Sequence, residues 1–419
     1  DREAVHASVA SQGAPLSSSR EMGCGGSKQD TADPGDVTLE AGEEAPGKRP
    51  AASDPGHEPS TEAARRQARL EPLVEITQHK GDSECRAGEA DELCGFETLP
   101  WARMQESAAS WLWQPPAPGV YTREVLAQGL LLDQQVGANP FKFGLIGSTD
   151  THYATPGMVE EDRHPGHGAG LISSRYEVPP IPDQPRFNPG GLAVLWAEEN
   201  SRDSLFAAMR RRETYGTSGP RMEVRFFGGW EYAQDICAAA DFAAQGYAGG
   251  VPMGGTLAPA PGPGARPGFA LYALRDPGPP DRPGTPLQRL QVVKAWLDDG
   301  EVREAVFDVA GDPGNQANVD FATCTPQGAG FDRLCTLWED PDFSADEHAL
   351  YYARVIENPS CRWQHFHCLA AGANCSDPSS VSPGLEACCD PAIPRSVQER
   401  AWSSPIWYTP RTPEENASQ

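Results

Sequence analysis

The sequence predicts an α/β unit with a parallel sheet followed by an all-β, sandwich-like unit. Three observations carry this. A helical pattern runs into a strand pattern twice between residues 61 and 147, the order expected of βα-type layering. From residue 222 onward, short strand patterns alternate with Gly- and Pro-rich turns, the signature of a β-sandwich. Residues 1–60 carry almost nothing to bury, so they cannot offset the entropy of ordering and are expected to be disordered.

In the N-terminal segment, Met22-Gly23-Cys24-Gly25-Gly26-Ser27 fits the N-myristoylation pattern if translation begins at Met22, with Cys24 open to palmitoylation. As an internal stretch it is a Gly-rich linker. Residues 61–70 (TEAARRQARL) are strong helix formers. The strand at 73–77 alternates Glu75 against apolar neighbours. An acidic loop at 88–95 and the rings of Trp101, Trp111 and Trp113 follow; packing over a core is the expected role of such rings. Residues 121–137 show apolar helical spacing and end on Gly137, a C-cap signal. They feed a strand through Phe141, Phe143, Leu145 and Ile146 that stops at Gly147.

Residues 155–189 form a Gly/Pro-rich loop long enough to act as a lid. It carries Glu160, Glu161, Asp162, His164 and His167. Pro and Gly between the two histidines deny them a helix face, so a solvated loop is expected rather than a chelating pair. A strand at 192–196 and a helix at 201–212 restore order. Ser201 is placed to cap that helix, and Arg210, Arg211 and Arg212 stand at its C-terminal end, where cations are favoured. Strands without intervening helices are expected at 222–227, 269–273, 287–293, 302–309 and 350–355, and a polar tail at 409–419.

The net charge of −25 argues against a nucleic-acid partner, because a phosphate-binding surface carries excess Lys and Arg. No apolar run is long enough to span a bilayer. There are 11 cysteines, with none of the short paired spacings of a zinc site. Disulfides stapling the loops around Cys361, Cys368, Cys375, Cys388 and Cys389 are expected, with Cys324 and Cys335 a further candidate pair. That implies a secreted or periplasmic setting; reduced structural cysteines in a cytosolic protein are the competing reading. The count is odd, so at least one thiol is left over.

The most informative stretch is residues 139–152, NPFKFGLIGSTDTH. Asp150 and His152, an oxygen and an imidazole donor, follow directly on the carboxyl end of a strand, where ligands gather in parallel sheets. A capped turn with a surface histidine is the alternative. The motif GSTDTH resembles the last metal-binding motif of the polymerase and histidinol phosphatase (PHP) superfamily of metallohydrolases. The stretches 71–84 (EPLVEITQHKGDSE), 190–221, 340–363 and 398–408 extend the resemblance to its DUF3604 branch, related to carbaryl-hydrolase-type enzymes. The resemblance covers the C-terminal portion of such a protein and ends its catalytic domain near residue 221. It implies an incomplete β/α barrel at 61–221 and a β-rich domain at 222–408.

It further implies two or three divalent ions (Zn, Mn or Fe) and a small-molecule phosphate, carboxylic or carbamic ester as substrate. Asp150 and His152 take the catalytic and metal-binding roles, with Glu75 and, more weakly, Glu84 facing the metals; His79 is a further donor without support from a motif. The family's opening His-x-His is missing, since His6 and His57 stand alone in low-complexity sequence. Two functions follow as expectations: a hydrolase needing ligands absent from this chain, or an inactive homologue acting as a binding or structural protein.

Overall fold

The computed structural model describes the backbone of residues 3–6 and residues 60–86, 91, 93–97, 121–152, 154, 156–168, 183, 185–280, 282–377 and 381–411. Trp101, Trp111, Trp113, Cys24 and the Met22 motif lie outside them. The fold is mixed α/β, with mostly strands in several open sheets and few helices. Against the expectation of a wholly unstructured N-terminal segment, β1 (Glu3–His6) is a strand.

α1 (Thr61–Leu70) starts where the Ser60 side chain accepts from Ala63 N–H at 3.2 Å, the cap a Ser supplies best. β2 (Leu73–Gln78) and β3 (Gly81–Asp82) follow. α2 (Thr122–Val136) ends on Gly137 in the left-handed conformation, φ 67°, and leads to β4 (Gly144–Gly147). β2 and β4 pair in parallel and β3 lies antiparallel beside β2; this is the α/β unit the helix–strand order predicts. β4 is shorter than its apolar run. Asn139 Oδ1 accepts from Phe141 N–H at 2.8 Å, a side-chain turn that competes with strand pairing and delays the strand to Gly144. β5 (Leu192–Ala197), α3 (Arg202–Arg211) and β6 (Thr214–Thr217) complete this half.

The second half contains β7 (Glu223–Gly229), α4 (Phe242–Gly249), β8 (Gly250–Pro252), β9 (Gly268–Leu274), β10 (Leu287–Asp298) and β11 (Glu301–Gly311). It continues through β12 (Asn318–Asp320), β13 (Thr325–Gln327), β14 (Arg333–Glu339), β15 (Ala349–Glu357), β16 (Ser360–Cys361) and α5 (Trp363–Ala370). β17 (Ser396–Val397), β18 (Arg400–Ser403) and β19 (Ile406–Tyr408) close it. The strands fall where expected, but α4 and α5 interrupt them. The Ala-rich run at 238–249 has the helix propensity that a reading by turns alone passes over.

One sheet unites both halves: its order is β1-β5-β6-β18-β15-β10-β11, with β19 also on β15. Its central strands β10 and β15 are buried on both faces, although Gln288, Arg289, Gln291 and Lys294 of β10 and Arg354 of β15 are polar. On one face Val292, Tyr351 and Val355 pack against Phe226, Phe269 and Leu271 of the four-stranded sheet β14-β9-β7-β8. On the other, Val293, Leu350, Trp402 and Trp407 pack against Leu126 and Leu130 of α2 and against Ile76 and Leu145.

β4 meets β5 and β6 backbone to backbone. A Cβ on Gly191 would lie 2.2 Å from the Thr217 carbonyl oxygen, and one on Gly216 would lie 2.7 Å from Gly147 N. Gly191→Ala is therefore expected to cost about 1–3 kcal/mol, the range for overpacking, read as a lower urea midpoint. An unchanged midpoint would show that the layers separate freely.

Five disulfides are present: Cys85–Cys94, Cys237–Cys335, Cys324–Cys361, Cys368–Cys388 and Cys375–Cys389. The expected Cys324–Cys335 bond is corrected, since each of these cysteines bonds elsewhere; spacing does not fix connectivity. No described helix is long and apolar enough to cross a membrane.

A buried histidine–carboxylate cluster as candidate functional site

The loops at the carboxyl ends of β2 and β4 are stitched together before any side chain is considered. Ser148 N–H donates to the Thr77 carbonyl at 3.0 Å, and Gly191 N–H donates to that of Ser148 at 2.6 Å. Asn188 N–H reaches the His79 carbonyl at 3.0 Å, and His152 N–H reaches that of His167 at 2.7 Å. Asp150 sits at φ 50°, a backbone setting that Asp tolerates better than most side chains. These bonds bring His79, Asp150, His152 and the loop histidines into one neighbourhood.

His79 and His167 stack, ring centroids 4.1 Å apart and planes 11° from parallel, and Phe187 meets the edge of both. His79 Nδ1 lies 3.3 Å from Asp150 Oδ2, yet the two are not aligned as a hydrogen bond, and the nitrogen is left without one. Burial, reinforced by His167, pushes the His79 imidazole down to about 4, so it is neutral at physiological pH. His152 is exposed, its ring 6.4 Å from that of His167.

Asp183 organises the loop histidines. Its carboxylate lies 2.7 Å from His167 Nδ1 and 3.1 Å from His164 Nε2, and it accepts from His167 N–H at 3.0 Å. Burial opposes its ionisation, but the hydrogen bonds from the two histidines outweigh it and hold the carboxyl well below the usual range. An ionised Asp183 only accepts, so the ring nitrogens facing it carry the protons. Their other nitrogens, His164 Nδ1 and His167 Nε2, are buried without partners. A carboxylate behind an imidazole that frees its second nitrogen is the arrangement found behind metal-ligating histidines. The solvated loop expected for His164 and His167 is thus corrected: each is 3% exposed.

Glu75 lies beside this cluster. Burial raises its carboxyl, while Ser148 and Lys80 partly offset that and Asp150 adds to it. Lys80 is pushed down by burial, against the pull of Glu75, Asp82 and Asp150. The structure therefore gathers Glu75, Asp150 and His152, together with His79. Glu84 is placed elsewhere. Its carboxylate, 1% exposed, is taken by Arg123, Arg354, the Tyr352 hydroxyl and Trp402 Nε1, which is the setting of a structural ion pair rather than of a free ligand.

Residues far along the chain complete the wall. Arg362 donates to the carbonyls of Pro185, Arg186 and Phe187 while paired with Glu97, and Trp363 Nε1 also reaches the Phe187 carbonyl. The stretch around Arg362 thus fixes the ring that flanks both stacked histidines. Lys80, Asp183 and Phe187 were not singled out from sequence. Asp183 had no periodic context, and only the His-x-x-His spacing in its loop signalled the region.

Among the described residues, two groups of three metal-capable side chains converge tightly: Cys324, Cys361 and His365, and Cys85, Asp91 and Cys94. Both contain a disulfide, which removes the thiolates a metal would need. The histidine cluster is looser, but its donors are unspent.

Fold and site together define a mixed α/β protein with a carboxylate-backed histidine cluster at the ends of two parallel strands. The chain belongs to the family described as "Protein of unknown function (DUF3604)", whose model matches residues 49–410. No curated protein and no solved structure matches it.

Proposed function

We propose that the chain is a metal-dependent hydrolase of phosphate, carboxylic or carbamic esters, of the PHP type and related to carbaryl-hydrolase-like enzymes. One observation carries the reading: His79 Nδ1, His164 Nδ1 and His167 Nε2, in the same loop neighbourhood, are each buried without a hydrogen-bond partner. Leaving such atoms orphaned costs about 1–3 kcal/mol each, and a cation removes that cost. The donor set fits Zn, Mn or Fe, which accept neutral imidazole with carboxylate. His79, Asp150, His152 and His167 would hold the ion, with Glu75 beside them. A divalent ion there acts as a Lewis acid on the ester and makes water nucleophilic near neutral pH. Asp183 fixes the tautomers, and Phe187 packs edge-on against both stacked rings and limits the approach of water. The disulfides favour a secreted or periplasmic setting.

A non-catalytic role is the second reading. It is favoured by the way one carboxylate, Asp183, satisfies two histidines at once and so doubles as a structural lock for the loop.

Hydrolysis of p-nitrophenyl phosphate, bis-p-nitrophenyl phosphate and p-nitrophenyl acetate after loading with each metal separates the two. The hydrolase reading expects turnover of at least one ester and its loss in His79→Ala. Asp183→Asn is expected to lower kcat/KM by about 10–100-fold, the usual effect of removing a partner behind a ligating histidine. Turnover that is the same in all variants would refute this site.

A further inference from the structure

The opposite ends of β2 and β4 carry a second feature that the histidine site does not use. A cleft of about 480 Å³ opens there, lined by Arg65, Arg69, Lys142, Arg210 and Arg212, with Asp133 the sole acidic residue on its wall. In a chain of net charge −25, five converging cations are an exception. None of them has a carboxylate within ion-pair distance among the described residues; Asp133 turns instead to the Thr409 hydroxyl and to His348.

The competing explanation is helix capping. α1, α2 and α3 all end at this cleft, and Arg210 and Arg212 donate to the carbonyls of Arg69 and Ala68 at 2.9 and 3.2 Å. Each helix C-terminus is worth about half a negative charge. Three such ends and Asp133 still leave roughly two and a half positive charges uncompensated. Two donors also remain unspent: Arg212 Nε and Asn139 Nδ2 are buried without a partner, and Asn139, 5% exposed, lines the cleft. Arg212 further adopts φ 62° at the helix C-cap, a position where Gly is favoured and an Arg costs about 1–2 kcal/mol.

We propose that this cleft binds a small, compact phosphate anion carrying two to three negative charges, such as a phosphomonoester or a pyrophosphate group. The residual charge matches that valence, the volume suits a small molecule rather than a polymer, and guanidinium forks match phosphate oxygens. The proposal does not rest on the hydrolase reading, because the cleft lies at the other end of the strands from His79 and Asp150.

The test is calorimetric titration of the full chain with inorganic pyrophosphate at fixed ionic strength. Saturable binding is expected, weakened at least about tenfold by Lys142→Gln and by Arg212→Gln. Arg202→Gln, an exposed cation on α3 outside the cleft, is expected to leave it unchanged. Thermal unfolding without ligand is expected to show Lys142→Gln at least as stable as the parent, since it relieves repulsion, whereas Arg212→Gln also loses its bond to the Ala68 carbonyl. Absence of binding would overturn the proposal, as would binding that survives both cleft substitutions or falls equally with Arg202→Gln.

Discussion

Glu84→Gln is expected to destabilise the protein by about 3–5 kcal/mol, the cost of breaking a buried ion pair by removing one partner. Arg354 and Arg123 flank this carboxylate with side chains 0% and 3% exposed. Asp91 also bonds both arginines, so the two cations would be left sharing it, with only the more exposed Glu304 3.6 Å from Arg123 besides. The consequence reaches beyond one contact. Glu84 follows β3, Arg123 belongs to α2, and Arg354 and Trp402 belong to β15 and β18, so the network ties the α/β layer to the large sheet. Chemical denaturation of the parent, Glu84→Gln and a Glu84→Leu/Arg354→Met pair is the measurement. The pair is expected to recover part of the loss, because apolar replacement removes both charges. A loss below about 1 kcal/mol in the single variant would mean that the network is solvated.

Stability is expected to peak in mildly acidic solution and to fall as pH rises through 7. Burial, with Glu84 adding to it, raises the Asp82 carboxyl to about 7. Burial raises Glu399 to about 7 as well, against the hydrogen bonds from Ser218 and Glu161. Glu161, hydrogen-bonded to Glu399, is raised well above the usual range, mainly by burial and then by Glu399. For such groups the folded state binds the proton more tightly than the unfolded state. Between about pH 4 and pH 7 the folded state therefore holds more protons, and stability drops as pH climbs.

Glu84, Asp91 and Asp183 act in the opposite sense. Their carboxyls are held below the usual range, so their stabilisation is present above about pH 4 and is lost as pH falls below it. Melting temperatures from pH 3 to pH 9 should trace a maximum between these limits, and Glu399→Gln should flatten the alkaline side. A maximum above pH 8 would contradict the buried, protonated pair.

The local half of this architecture was legible in sequence. α1 follows from helix propensity, the Gly137-terminated α2 and the Ser201-capped α3 follow from cap chemistry and helical spacing, and the parallel β2/β4 pair follows from the helix–strand order. The joining of the two halves was not. A single sheet running from β5 and β6 to β18 and β15 depends on pairings nearly two hundred residues apart, which no local pattern encodes. The site shows the same divide. Asp150 and His152 stood out because they follow a strand and match a family motif, and Glu75 through the family resemblance alone. Asp183, Phe187 and the burial of His164 and His167 came from a loop clamped by Arg362 and Trp363 from the far end of the chain. Glu84 had the residue type of a ligand, but its neighbours decided otherwise.

His79, Asp150, His152 and His167 are the proposed metal centre. Elemental analysis of the purified chain, alongside His79→Ala/His167→Ala and Asp150→Ala/His152→Ala, tests it most directly. The account predicts near-stoichiometric zinc, manganese or iron in the parent and its loss from both variants. A metal-free parent that also fails to take up any of the three on dialysis would contradict it.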